Sequence, residues 1–109
     1  MMRTNANYVS GMDASYSNTF SAAGSVSGTA SLGNGQVGKP VRIKVSGSVS
    51  GQAVITYGNN ASKIVPCNPN APFTEDVIPA TAFPKPTNAV SITLTADGAG
   101  VIRAIVTFV

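Results

Sequence analysis

Four acidic residues are the side chains of this sequence best suited to acid–base chemistry. They are Asp13, Glu75, Asp76 and Asp97. Hydrolytic sites that use paired carboxylates need two acids facing one cleft. Glu75 and Asp76 are neighbours in a predicted strand, so their side chains point to opposite faces, while Asp97 begins a turn at Gly98. The sequence therefore predicts no catalytic pair of acids.

The side chains that usually perform nucleophilic catalysis or bind metals are almost absent from the sequence. The 109 residues include no His and a single cysteine, Cys67. A reactive thiol or serine needs a partner base, usually His, and zinc sites use several Cys and His ligands. We therefore expect a non-enzymatic protein with no catalytic residue, cofactor or metal site, and an inert, buried thiol at Cys67. A weak calcium site at Glu75 and Asp76 and a serine activated by a lysine remain as alternatives.

Residues 33–38 read Gly-Asn-Gly-Gln-Val-Gly, which matches the dinucleotide-binding pattern G-x-G-x-x-G. That pattern works where a strand precedes it and a helix follows it, because the helix N-terminus faces the pyrophosphate. Here Lys39-Pro40 follows, and then a predicted strand. The segment is therefore predicted to be a glycine-rich hinge and not a nucleotide site.

Charge and composition narrow the classes of partner. The net charge is +3, and charged residues make up 10% of the chain, well below the roughly 25% of ordinary domains. The basic residues are scattered, so we expect no specific nucleic-acid partner and no membrane-binding basic segment. We also expect no secretory signal and no membrane span, because no apolar stretch is long enough. A surface of Ser, Thr, Asn, Gln and Gly suits a protein that stays packed against others.

Residues 1–39 differ in composition from the rest of the chain. They are rich in Ser, Gly, Ala and Asn, and their few large side chains are widely spaced. Such a segment buries too little apolar surface to order itself alone, although short alternations predict one or two marginal strands. We therefore predict an extended arm over residues 1–39, which gains order on a neighbouring molecule, and a β-domain over residues 40–109.

Residues 40–109 contain several short runs in which apolar and polar side chains alternate. The clearest runs cover residues 90–96 and 102–108, and the turn residues 97–100 between them predict a hairpin at the centre of the core. Six or seven short strands without a helix predict an all-β fold, either a small antiparallel β-sandwich or a jelly roll.

The last predicted strand has apolar residues on its second face as well, at Val101, Ile105 and Val109. This pattern predicts either a central strand covered on both sides or an outer face that meets another subunit.

Three aromatic residues, Tyr57, Phe73 and Phe83, are candidates for stacking on sugar rings. Carbohydrate sites of that kind generally use Trp, which is absent from the chain. Filling the core is therefore the favoured interpretation of Phe73 and Phe83.

A low-charge chain with a Ser/Gly-rich arm over residues 1–39 and a compact β-domain over residues 40–109 resembles the small decoration, or cement, proteins of tailed-bacteriophage capsids. The resemblance lies in architecture and composition along the whole chain and not in a diagnostic motif. It implies a β-sandwich or jelly roll that often forms a homo-oligomer, binds the major capsid protein or other virion proteins, and stabilises the shell. The expected location is the virion, after synthesis in the host cytoplasm.

On this hypothesis the arm and the outer face of the last strand bind the partners, with main-chain pairing at sheet edges contributing to the contact. One alternative is a glycan- or receptor-binding β-sandwich module of a fibre or surface appendage. Another is a self-assembling fibre or coat subunit. The predicted partner-binding residues are Tyr8, Tyr16, Phe20, Leu32, Val101, Arg103 and Ile105.

Overall fold

A computed structural model of the protein describes residues 7–109, and the chain in that range is built from strands, turns and loops. No helix able to cross a membrane is present between residues 7 and 109. The ten strands are β1 (Asn7–Tyr8), β2 (Met12–Phe20), β3 (Gly24–Ser31), β4 (Gln36–Val37), β5 (Pro40–Gly47), β6 (Gly51–Thr56), β7 (Ser62–Cys67), β8 (Thr74–Val77), β9 (Ala89–Ala96) and β10 (Gly100–Phe108).

Eight of these strands form two four-stranded antiparallel sheets that pack face to face. The first sheet has the strand order β2-β10-β5-β8, and the second has the order β3-β9-β6-β7. Strands that follow one another along the chain mostly lie in opposite sheets, as β2 and β3, β5 and β6, β7 and β8, and β9 and β10 do. An eight-stranded double sheet with these crossings is a jelly roll. The structure thus confirms the predicted all-β sandwich, and β1 and β4 add a separate parallel ribbon.

The core lies between the two sheets and consists of the inward side chains of the alternating strands. β10, for example, buries every second side chain from Ile102 to Phe108. Full burial of one large apolar side chain contributes roughly 1.5–3 kcal/mol. Among residues 7–109 no polar or charged side chain is buried, so apolar burial holds the sheets together. The largest fully buried side chains are those of Phe108, Ile43, Ile55, Ile92, Leu94 and Ile102.

The two strongest alternating runs do form β9 and β10, but the predicted hairpin between them is wrong. β9 pairs with β3 and β6, whereas β10 pairs with β2 and β5. The Asp97 N–H donates to the Ser50 carbonyl (2.9 Å), and Gly100, at φ 151°, lies where a Cβ would collide with Val49. Turn residues reverse the chain without deciding whether the flanking strands pair, and here the two apolar faces meet across the core.

Residues 12–31, predicted to belong to an extended arm, are strands of the sandwich. β2 pairs with β10 along its whole length, and β3 pairs with β9 along its whole length. Their inward residues include Ala14 and Ala30, which are buried although they are small. The opposing strands provide the larger side chains, so these two strands can be completed with little apolar volume of their own. Residues 1–6 of the predicted arm lie outside the described residues.

The glycine-rich segment at residues 33–38 forms a turn that leads into β4. The Asn88 side-chain amide donates to the carbonyls of Gly33 (2.9 Å) and Gln36 (2.7 Å), and the Gln36 amide oxygen accepts from the Gly33 N–H (3.0 Å). The segment therefore connects β3 to β5 within one sandwich and does not join an arm to a body. Because β5 follows it, it does not present a helix N-terminus to a pyrophosphate.

Candidate functional site

The predicted partner-binding residues of the N-terminal region lie at very different depths. Phe20 and Leu32 are buried, at 7% and 8% exposure, so they serve the core of their own molecule and cannot contact a neighbour. Tyr16 is half-buried, and its ring lies over Gly28, in the space that a Cβ there would need. Tyr8, by contrast, is 72% exposed. The structure therefore leaves Tyr8 as the clearly accessible member of this set.

The other three predicted residues lie together on the outward side of β10. Val101 is 40% exposed, Arg103 is exposed and Ile105 is half-buried. Because β10 has β2 and β5 on its two sides, these residues form the middle of the outer face of the first sheet. We call this surface the charged face; its outward residues are Asp13, Ser15, Ser17, Thr19, Arg42, Lys44, Ser46, Glu75, Val77, Val101, Arg103, Ile105 and Thr107.

One edge of the charged face combines an exposed aromatic ring with opposite charges. Phe73 is 49% exposed, so the expectation that it fills the core is wrong. The Lys44 Nζ lies 4.9 Å from the centre of the Phe73 ring, within cation–π distance. The Glu75 Oε2 lies 3.9 Å from the Arg42 Nε and 4.0 Å from the Lys44 Nζ. Exposed pairs of this length stabilise a fold by less than about 1 kcal/mol.

The centre of the charged face carries a guanidinium between serines. Arg103 lies opposite Ser17 on β2 and Ser46 on β5, and within residues 7–109 it takes part in no ion pair. Four residues further along β10, the Thr107 hydroxyl donates to the Asp13 carboxylate (2.6 Å). Arg103 can therefore offer its donors to an acidic group on another molecule.

The outer face of the second sheet has no charged side chain in the described part of the chain. On β3 and β9 it is lined by hydroxyls, which bond across the strands from Ser25 to Thr95 (2.7 Å) and from Ser27 to Thr93 (2.9 Å). β6 and β7 add apolar side chains, of which Ile64 is 57% exposed. We call this surface the uncharged face; its outward residues are Ser25, Ser27, Thr29, Gln52, Val54, Thr56, Ser62, Ile64, Pro66, Ser91, Thr93 and Thr95.

A cleft of about 530 Å³ opens at one end of the second sheet, where β6 ends and β9 begins. Its volume lies within the range of small-molecule sites. Polar and apolar groups line it together, and they come from two segments that are distant in sequence. The lining residues are Thr56, Tyr57, Gly58, Asn60, Phe83, Pro84, Lys85, Pro86, Thr87, Ala89, Val90 and Ser91.

Tyr57 and Phe83 form the aromatic wall of the cleft. Their ring centres are 5.9 Å apart and their planes meet at 67°, an edge-to-face arrangement that stabilises both rings. Phe83 is buried, as predicted, and Tyr57 is half-buried. Burial, with the negative charge of Asp76 as a second cause, raises the pKa of the Tyr57 phenol. That hydroxyl is therefore protonated and available as a donor at neutral pH.

The turn after β6 holds the cleft in shape. The Tyr57 N–H donates to the Ala61 carbonyl (2.8 Å), and the Asn60 N–H donates to the Tyr57 carbonyl (3.0 Å). The Asn59 N–H donates to the Ala82 carbonyl (3.1 Å) and so ties this turn to the second lining segment. Asn60 has a φ of 70°, a left-handed conformation that Asn tolerates better than most residues.

The remaining residues weighed for chemistry lie apart from the cleft lining. Glu75 is directed to Arg42 and Lys44, whereas Asp76 lies 3.5 Å from the Lys63 Nζ on β7, so the two acids have separate partners. Cys67 is buried, and burial raises the pKa of its thiol, which favours the unreactive protonated form. Among the residues that the structure describes, no group of three or more His, Cys, Asp or Glu side chains is placed to hold a metal ion.

Comparison with known proteins finds no match: no family model, no curated protein and no solved structure is similar to the chain. The function therefore has to be argued from the charged face and the cleft. Sequence reasoning located the charged face through the alternation of β10. It also named Tyr57 and Phe83 as candidates for stacking on sugar rings, but it did not bring them together or place them in a cleft. A further sequence signal for the cleft was Pro84-Lys85-Pro86, a rigid segment that carries one charge. Its position beside Tyr57 is set by the fold.

Proposed function

We propose that this protein is a non-enzymatic structural protein of a virion, which binds and stabilises a capsid lattice as a decoration protein. The observation that carries the proposal is the position of Val101 and Ile105 on the outward side of an inner strand of the first sheet, on either side of Arg103. Apolar side chains at the centre of a polar-rimmed face are typical of surfaces that pack against another protein.

The chemistry of the charged face specifies the partner's surface. Burying a guanidinium without a counter-charge costs several kcal/mol, so the surface that covers Arg103 must offer a carboxylate or several carbonyl oxygens. Apolar groups must lie beside that acceptor to meet Val101 and Ile105. The proposed partners with such a surface are the major capsid protein and neighbouring copies of this chain.

The size of one sheet face favours a repeated contact over an isolated one. Four strands about 4.8 Å apart and about 25 Å long present roughly 500 Å². A stable single interface buries about 800 Å² on each partner. On a lattice the same contact is repeated at high copy number, and avidity then compensates for a weak individual contact.

Residues 12–31 are not available to bind a neighbour as an extended arm. β2 and β3 use their main-chain groups to pair with β10 and β9 of the same molecule. The charged face and the exposed Tyr8 therefore replace residues 12–31 as the proposed contact region.

Mass spectrometry of virus particles from the virus or host that encodes this chain, purified on a density gradient, tests this function. We expect the chain to be present at a copy number comparable with that of the major shell protein, and to stay bound through the gradient. Recovery of the chain only from the fractions without particles would contradict the proposal.

A further inference from the structure

The cleft beside Tyr57 is a second surface with the chemistry of a binding site, and it is separate from the charged face. It is lined by the ends of β6 and β9 and by the loop that precedes β9, whereas the charged face belongs to the first sheet. A ligand in the cleft therefore leaves Val101, Arg103 and Ile105 uncovered. The cleft can be occupied whether or not the protein is bound to a lattice.

The cleft carries one sign of charge. Among the described residues that line it, Lys85 alone is charged. Lys85 stands between Pro84 and Pro86, whose rings fix φ near −65° and restrict the residue before each of them. The backbone that carries the Lys85 side chain is thus stiff, which lowers the backbone entropy lost when this segment binds an anion.

The rest of the lining combines an apolar wall with neutral hydrogen-bonding groups. The half-buried ring of Tyr57, packed edge-to-face on the buried Phe83, provides an apolar surface, suited to the C–H face of a sugar ring. Asn60 and Ser91 add an amide and a hydroxyl, which can donate to and accept from ring hydroxyls.

We propose that this cleft binds an acidic saccharide, with the sugar carboxylate at Lys85, ring hydroxyls at Asn60 and Ser91, and the apolar ring face against Tyr57. The single positive charge among neutral polar groups selects a ligand with one negative charge and many hydroxyls over a highly charged polyphosphate. Hexuronic acids and sialic acids share this chemistry. The contact between the sugar carboxylate and the Lys85 ammonium is a point-charge contact, which salt weakens.

The test is the binding of three oligosaccharide probes to the full-length protein, followed by isothermal titration calorimetry. One probe ends in glucuronic acid, one ends in N-acetylneuraminic acid and one is neutral lactose. We expect at least one acidic probe to bind more than tenfold tighter than lactose, with an affinity that falls as salt is raised. Which acidic probe binds identifies the class of sugar acid. Equal binding of lactose, or no binding of either acidic probe, would overturn the proposal.

Two lysine variants locate the site. Lys85→Gln should lower the affinity for the acidic probe at least tenfold and abolish its preference over lactose. Lys39→Gln, the control, removes a lysine outside the cleft lining and should leave the affinity unchanged. Tyr57→Phe should preserve both binding and the fold, because the aromatic ring that faces the sugar and its edge-to-face contact with Phe83 are retained. An unchanged affinity in Lys85→Gln would overturn the assignment, whatever the particle experiment shows about the lattice.

Discussion

The charged face and the uncharged face cover the same core, yet they are built from different side chains. The inward residues of both sheets are apolar because both sheets border one interior. Outward, the first sheet carries acids and bases, whereas the described outward residues of the second sheet carry hydroxyl, amide and aliphatic groups. Packing does not dictate outward residues, so under the proposed function the difference between the faces reflects the partner that the charged face meets. Charges arranged around Ile105 give a surface that can select one protein partner.

Removing residues 2–38 has the largest expected effect, because it takes one edge strand from each sheet. β10 loses β2 and β9 loses β3, which exposes the apolar interior along both strands. The truncated chain should show no cooperative unfolding transition by circular dichroism, whereas the full chain should show one. A cooperative transition in the truncated chain would mean that the sandwich forms without these strands, and the extended-arm interpretation would regain its basis.

Inward substitutions should affect the two sheets equally. Ile102 on β10 and Ile92 on β9 are both fully buried, so Ile102→Ala and Ile92→Ala should each lower the free energy of unfolding by roughly 2–5 kcal/mol. Chemical denaturation monitored by circular dichroism measures both values. A cost confined to one of the two variants would show that the sheets do not share a single core, and the comparison of their outer faces would lose its basis.

Alkaline pH should lower the free energy of unfolding through Cys67, a buried residue on β7 of the second sheet. Burial raises the pKa of this thiol above its usual value of 9.0, so the folded state holds the proton more tightly than the unfolded state. Stability is therefore fully present below about pH 9 and falls as the pH rises through the folded-state pKa. Denaturation midpoints between about pH 8 and pH 11 should fall more for the wild type than for Cys67→Ala. A parallel decline in both proteins would show that the thiol does not contribute.

The smallest expected effect comes from an ion pair on the charged face. Glu75→Gln removes the carboxylate shared by Arg42 and Lys44, whose side chains are 47% and 42% exposed. The free energy of unfolding should fall by less than about 1 kcal/mol, and high salt should remove most of that difference. A larger, salt-independent loss in thermal or chemical denaturation would mean that the charges of this face stabilise the fold instead of serving recognition.

The strands with large inward side chains were predictable, whereas those with small ones were predicted only as one or two marginal strands of an arm. β5, β9 and β10 alternate Val, Ile and Leu with polar residues, and their boundaries follow from that period. β2 and β3 bury Ala14 and Ala30 and place Tyr16 over Gly28, so the apolar volume that completes them lies on strands far away in the sequence. For this reason composition alone suggests an extended arm over residues that form an edge strand in each sheet.

Of the candidate sites, the charged face was partly predictable, whereas for the cleft the sequence singled out only the aromatic residues Tyr57 and Phe83. Successive side chains of a strand point to opposite faces. The apolar residues Val101 and Ile105 could therefore be assigned to the face of β10 opposite the core. The cleft needs residues 56–60 beside residues 83–91, and that juxtaposition depends on the sheet order. The turn residues at 97–100 suggested a hairpin and so concealed that order, because they are equally compatible with a crossing between sheets.

A matched pair of aspartate substitutions tests the central claim most directly, with binding measured as copies retained per virus particle after co-sedimentation. Ile105 on β10 and Val54 on β6 are both half-buried, outward aliphatic residues on inner strands of their sheets, so each substitution introduces the same charge at an equivalent depth. Ile105→Asp should lower the number of bound copies at least tenfold, while Val54→Asp should bind as the wild type does. Retention of Ile105→Asp on the particles, or an equal loss in both variants, would contradict the account.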